Sequence, residues 1–438
     1  MTFPDRRAAL ALALLSGCFN PDSASDTSAT DGTDSDMPTS GSSMSGASSA
    51  SATSSSTEPS GSSTGPTSTT EPTSTTDDTM TGTEESSSTG EPSDCPGGDP
   101  TPGEAPYVLT TVIAAQETSS VDIGDINGDD HLDLISISRA DTAVEAFFGD
   151  GAGTFTSDGV TMLGMSGFPD TVRLGAIADD TVDLFVHMEG PVELWVVRGD
   201  GTGNWPSPQV YEGTYVRAID IADLNGDGVL DLAYVGASNL EVRLGEAGET
   251  YQDPDLYDEN FGNVLRIADI SGDGNLDILT SSYGTTELQI YDGNGAGAFE
   301  AQPTVVTGSP ISGIDVGHLD NDDLLDLVLT TEEDLRVFYG EAGGGISSTP
   351  GTIIEGSLGR VKVADIDADD IDDLVTHGGT TVGIRFAAGD TTFTEPTSFD
   401  CPNNVFNLDA GDLNEDCVPD LVSPQGAGDL CVLMSDRD

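Results

Sequence analysis

A motif of eleven residues, complete in "ADLNGDGVLDL" (222–232), recurs along this chain and limits what it can fold into. Counted from its first Asp, oxygen side chains stand at positions 1, 3, 5 and 9, here Asp223, Asn225, Asp227 and Asp231. Full copies are "GDINGDDHLDL" from Gly124, "ADISGDGNLDI" from Ala268, "ADIDADDIDDL" from Ala364 and "GDLNEDCVPDL" from Gly411. Two copies are eroded. "LGAIADDTVDL" puts Gly175 and Ile177 at positions 1 and 3 and keeps Asp179 and Asp183, while "GHLDNDDLLDL" puts His318 at position 1. First positions fall at 125, 175, 223, 269, 318, 365 and 412, a spacing of 46–50 residues. Such a period marks a repeat architecture whose units bury their apolar faces against one another.

One period reads as four strands. A segment such as "VRAIDIAD" leads into the loop, "LDLAYVG" leaves it, "LEVRLGE" follows, and a Gly-rich turn precedes a fourth segment. The turns recur as "GDGAGTF" (149–155), "GDGTGNW" (199–205) and "DGNGAGAF" (292–299). Four strands per repeat of this length signal a propeller blade. The expected fold is all-β, a seven-bladed β-propeller over 103–438. Only two strands, "PDLVSP" and "DLCVLMS", follow the last loop, so "APYVLTTVI" (105–113) is expected to complete the last blade and remove an open edge.

Oxygen side chains at positions 1, 3, 5 and 9, with a backbone carbonyl at 7, are the donor set of a hard cation, and Ca²⁺ suits six to eight oxygens in irregular geometry. One such loop alone is an ordinary solvated acidic turn; five at blade period are not. Composition agrees. The 78 acidic against 13 basic residues give a formal charge of −65, which argues against nucleic acid or an anionic membrane surface as partner. The same balance also fits adaptation to high salt.

The loops, the spacing and the "GDGxGxF"-like turns resemble the FG-GAP/VCBS repeats of integrin-α-like β-propellers. The resemblance implies Ca²⁺ between the first and second strands of a blade. It places ligands at Asp125, Asn127, Asp129 and Asp133; Asp223, Asn225, Asp227 and Asp231; Asp269, Ser271, Asp273 and Asp277. It continues with Asp365, Asp367, Asp369 and Asp373, and with Asp412, Asn414, Asp416 and Asp420. The position-7 carbonyls come from His131, Val229, Asn275, Ile371 and Val418. By the same pattern the fifth blade, with His318, holds a weak or empty site, and the second blade holds none. Cys417 at position 6, where the family favours Gly, sets the seventh loop apart.

The N-terminus, "MTFPDRRAALALALLSGC", has a basic pair and a short apolar run, and Leu15-Ser16-Gly17-Cys18 resembles a bacterial lipobox. Residues 1–18 are therefore expected to be a lipoprotein signal, with Cys18 lipidated. Residues 19–102 are Ser-, Thr-, Gly- and Pro-rich and acidic, the composition of a disordered stalk. The expected location is the bacterial cell envelope, at the outer membrane or cell surface, with the membrane reached through lipid only. Cys95, Cys401, Cys417 and Cys431 remain, and an exported chain is expected to pair them. Strand direction places Cys95 and Cys417 towards the loop face and Cys401 and Cys431 towards the other. The expected disulfides are Cys95–Cys417 and Cys401–Cys431, because a strand of about seven residues spans roughly 23 Å and bridged Cα atoms lie within about 7 Å.

For function, no G-x-S-x-G, H-E-x-x-H or P-loop motif occurs. The expected role is a binding or adhesion module for a glycan or a cell-surface protein; a two-carboxylate hydrolase or lyase and a plain envelope scaffold are the alternatives. Phe168, Tyr215 and Phe261 occupy equivalent positions before three successive loops, on the face opposite them. They read either as a stacking patch or as packing between blades. Arg198-Gly199-Asp200 spells an adhesion tripeptide but coincides with a Gly-rich turn.

Overall fold

The computed structural model describes residues 107–435, apart from 115–117, 140–141, 162–166, 178–180, 190–192, 207, 213–215, 237–238, 248–249, 259–261, 283, 357–358, 406 and 426–427. Cys18, the stalk, Cys95, Tyr215 and Phe261 lie outside the described residues. Among those described, every regular element is a strand.

Seven blades of antiparallel sheet follow one another along the chain, and a separate two-stranded sheet pairs Gly245–Glu246 with Thr250–Tyr251. Blade 1 consists of Thr118–Gly124, Asp133–Ser138, Ala143–Gly149 and Phe155–Thr161, in that order from the inside out. Blades 2 to 6 repeat the order from Phe168–Gly175, Ala218–Ala222, Gly262–Ala268, Ile311–Gly317 and Arg360–Ala364. Blade 7 has Asp409–Gly411, Asp420–Gln425 and Asp429–Ser435 from the end of the chain, and its outer strand is Tyr107–Ala114. Tyr107 lies opposite Ser435 and Ala114 opposite Asp429, so the edge of the last blade is closed by the beginning of the fold.

Second strands such as Asp133–Ser138 and Asp277–Ser282 are buried along their whole length, because each blade is covered on both faces. Seven apolar clusters fill the seven interfaces. Ile135, Val144, Val172 and Leu184 join blades 1 and 2. The ring closes where Val121, Leu134 and Phe147 of blade 1 meet Leu413, Val422 and Val432 of blade 7.

Candidate metal centres

Each loop joins the first strand of a blade to the second at one end of the propeller, and each of the five complete loops is coiled around its own position-1 carboxylate. Asp223 Oδ1 accepts from the amides of Gly226 and Asp227 at 2.8 and 3.1 Å, and Oδ2 from that of Gly228 at 2.8 Å. Asp125, Asp269, Asp365 and Asp412 accept amides from position 5 at 3.0–3.2 Å and from position 6 at 2.7–3.0 Å. Position 5 in turn accepts the position-7 amide, as Asp129 does from His131 and Asp416 from Val418. To turn so tightly the backbone enters the left-handed region at position 6, readily at Gly228 (φ 81°) and against side-chain strain at Cys417 (φ 68°). The coil turns side-chain oxygens inward. Ligand atoms of Asp365, Asp367 and Asp373 lie within 4.8 Å of one another. An all-oxygen set of this kind fits a hard cation.

The position-9 Asp has a second task that sequence spacing alone does not reveal. Its carboxylate is buried in all seven blades and ties the loop to the end of the third strand. Asp133 accepts Ile126 N at 2.9 Å and Gly149 N at 2.8 Å; Asp231 accepts Leu224 N at 2.9 Å and Gly245 N at 2.6 Å. Asp183, Asp277, Asp326, Asp373 and Asp420 make equivalent pairs. That is why the eroded blades keep this residue. Burial pushes the carboxyls up, Asp231 to about 6, Asp420 to about 7 and Asp373 to about 8, and neighbouring loop acids add to the rise. A divalent cation held by these oxygens would offset that cost.

The eroded loops differ from the sequence-based expectation. In blade 2 it is Gly175 that pairs with Asp183, so the loop is one residue shorter and Ala176 follows where position 1 stands elsewhere. Arg198 supplies the missing positive charge, its Nε donating to Asp183 Oδ1 at 2.9 Å. The arginine of the Arg-Gly-Asp tripeptide is thus turned inward. In blade 5 the His318 ring bonds the position-7 carbonyl of Leu324, Nδ1 to O at 3.2 Å. Its acids still gather, with ligand atoms of Asp320, Asp322 and Asp326 within 4.8 Å of one another, so the loop expected to be weak or empty retains a donor cluster.

Cys401 and Cys431 are joined, with Cα atoms 6.0 Å apart, and Cys417 is also disulfide-bonded. The remaining cysteines, Cys18 and Cys95, are outside the described residues. Phe168 is 54% exposed at the opposite end of its blade from the loop.

A ring of charge along the central axis went unnoticed in the sequence. Asp122, Arg173, Asp220, Arg266, Asp315, Lys362 and Asp409 each stand on an innermost strand, two places before the residue paired with the position-9 Asp. Their signs alternate around the ring. Arg266 Nε reaches Asp315 Oδ1 at 2.9 Å, and Lys362 Nζ reaches Asp409 Oδ1 at 3.1 Å. Acids also grip the next blade's backbone, Leu174 N donating to Asp122 at 2.6 Å and Val363 N to Asp315 at 2.8 Å. Seven is odd, so two acids meet at the seam, where Asp122 and Asp409 are hydrogen-bonded to each other. One of them must hold a proton. Burial, opposed by Arg173 and aided by Asp409, raises Asp122; burial acts on Asp409 as well, but Lys362 and the bond to Asp122 outweigh it and lower its pKa.

No curated protein matches the chain. Among solved structures, BBS1N, crystallised in complex with ARL6DN and soaked with lead, is similar at a TM-score of 0.57 and 12% identity, covering 76% of this chain and 98% of its own. The S. cerevisiae core factor gives a TM-score of 0.53 and 10% identity, covering 76% of this chain and 62% of its own. An Agrocybe aegerita lectin described as recognising non-reducing terminal N-acetylglucosamine gives 0.49 and 17%, covering 75% and 95%. At these identities the likeness is one of fold alone. Residues 178–234 and 269–329 match the FG-GAP-like repeat, and the chain is a seven-bladed β-propeller that carries such repeats.

Proposed function

We propose that this protein is a calcium-stabilised β-propeller that acts as an exported binding module for a glycan or a cell-surface protein, tethered through Cys18. The observation that carries the calcium reading is the pairing of loop chemistry with its exception. Where the loop of blade 2 lacks oxygen side chains at positions 1 and 3, a guanidinium stands beside the position-9 carboxylate. The five complete loops have acids at the same places, and Ca²⁺ is the charge that balances them. When bound, Ca²⁺ supplies several oxygen-coordination bonds per loop. The residues of the chain do the rest: position 1 coils the loop, and position 9 anchors it to the third strand.

The binding reading draws on the free end of the propeller, where Phe168 is exposed, and on a fold used for a protein complex in BBS1N. Three measurements test these readings. Equilibrium dialysis is expected to count about five Ca²⁺ per chain, and none bound at millimolar concentration contradicts the metal assignment. A glycan array and a cell-surface binding assay are expected to give binding without turnover; product release from a polysaccharide contradicts the binding role. Cys18→Ser is expected to move the protein out of the membrane fraction, and unchanged fractionation contradicts the tether.

A further inference from the structure

Blade 7 departs from the repeat at three residues, and each departure meets the segments that close the ring. The first is Glu415, at position 4, where the loops of blades 1, 3 and 4 have Gly. Its Oε1 meets Nδ1 of His131, in the first loop, at 2.5 Å across the seam. The second is Pro419, at position 8. In the loops of blades 3 and 6 the amide at this position donates to the loop of the preceding blade, Leu230 N to Ile177 O at 3.1 Å and Asp372 N to His318 O at 2.8 Å. Proline has no amide hydrogen. The Pro419 carbonyl instead accepts the hydroxyl of Tyr107, which begins the closing strand Tyr107–Ala114.

The third departure is Ser435. The corresponding residue, whose amide bonds the position-9 Asp, is Gly in blades 1 to 5 and Ala387 in blade 6. Ser435 keeps that bond, N to Asp420 Oδ1 at 2.6 Å, and adds another from its hydroxyl to Asp416 Oδ2 at 2.7 Å. It thus holds the acids at positions 5 and 9 of the seventh loop. Ser435 is also the strand partner of Tyr107. One residue therefore separates the acids of this loop from the closing strand. Gly153, in the Gly-rich turn of blade 1, donates to Leu413 O of the same loop at 3.1 Å. The His131–Glu415 pair is exposed and adds little alone. Together, however, the closing strand, the first loop and the first turn all hold one loop.

This matters because blade 7 is assembled differently. In blades 1 to 6 the outer strand follows the third in the chain, whereas in blade 7 it comes from the other end of the fold. We propose that calcium in the seventh loop is the latch of the ring. The ion held by Asp412, Asn414, Asp416 and Asp420 and the strand Tyr107–Ala114 keep each other in place, with Ser435 and Tyr107 as the positioning residues between them. The proposal rests on the calcium reading of the loops. Such coupling is reciprocal, so an ion that favours the closed ring is itself bound more tightly by it. At about tenfold excess over Kd, an ion lost on opening makes the open form about tenfold rarer.

Hydrogen exchange of the full-length, oxidised protein, in excess Ca²⁺ and in chelator at fixed ionic strength, tests the latch. Ca²⁺ slows exchange in Tyr107–Ala114 by about tenfold. It slows exchange far less in Asp255–Asp258, the outer strand of blade 3, where Gly245 stands in the place of Ser435. Asp412→Asn abolishes the slowing in Tyr107–Ala114, whereas Asp223→Asn, the same change in blade 3, preserves it. Ser435→Ala, which introduces the residue that blade 6 carries there, reduces the slowing severalfold. Equal slowing in the two strands overturns the latch while the calcium reading stands, as does an Asp223→Asn effect equal to that of Asp412→Asn. A Ser435→Ala variant with the full slowing overturns the path through Ser435. If no Ca²⁺ binds at millimolar concentration, the latch and the calcium reading both fall.

Discussion

Arg198 Nε lies 2.9 Å from Asp183 Oδ1, and Asp183 is fully buried. The pair occupies the one blade whose loop lacks oxygen side chains at positions 1 and 3, so on the proposed reading the guanidinium takes the place of the ion held in other blades. Replacing Arg198 with Met keeps much of its packing but leaves a buried carboxylate without a cation. The expected loss is on the order of 3 kcal/mol, and added Ca²⁺ does not restore it. Urea unfolding of the variant with and without Ca²⁺ checks both parts.

Position 9 separates anchoring from metal binding. Asp183→Asn and Asp231→Asn both lose an acceptor for a buried backbone amide, so each is expected to cost about 1–3 kcal/mol in chelator. Only Asp231→Asn should also reduce the stabilisation gained on adding Ca²⁺. Equal calcium responses in the two variants contradict the assignment of roles.

The acid pair at the ring seam makes stability depend on pH. The Asp122 carboxyl is held up, to about 8, by burial, with Asp409 beside it adding to the rise and Arg173 opposing it, whereas in the unfolded chain it titrates near the ordinary carboxylate value. A raised acid pKa means that the folded form holds a proton the unfolded form has lost. Its contribution is therefore full below about pH 4, declines as pH rises to about 8, and is level beyond. Asp122→Asn mimics the protonated carboxyl and should flatten this decline. Melting temperatures from pH 5 to 9 in saturating Ca²⁺, which keeps the loop acids ionised, compare the two proteins. Parallel curves contradict the shared proton.

Cys401 and Cys431 join the end of blade 6 to the third strand of blade 7 across 30 residues of chain. Closing a loop of that length restricts the unfolded chain by about 3.5 kcal/mol. Replacing both cysteines with Ala should lower stability by an amount of that order, measured by chemical denaturation without reductant. An unchanged midpoint contradicts the contribution.

The blades, their number and the closure by Tyr107–Ala114 were legible because each rests on a period, and a period survives the loss of individual residues. The places of the acidic loops were legible for the same reason. What escaped notice was the charge ring, although six of its members stand three residues before position 1. The shorter loop of blade 2 displaces Arg173 from that register and hides the alternation, and only strand pairing restores it. The anchoring role of position 9 was invisible because its partners, such as Gly149 for Asp133, lie 16 residues on and offer a backbone amide that has no sequence signature. The inward turn of Arg198 depends on packing, which a tripeptide match does not contain.

Thermal melting of the full-length protein against free Ca²⁺, at fixed ionic strength, tests the calcium account most directly. If five loops bind only in the folded state with Kd values of about 10⁻⁴–10⁻³ M, then at tenfold excess over Kd each loop adds about 1.4 kcal/mol. The melting temperature should rise with the logarithm of Ca²⁺ concentration and fall to its lowest value in chelator. A melting temperature indifferent to both chelator and added Ca²⁺ would contradict the account.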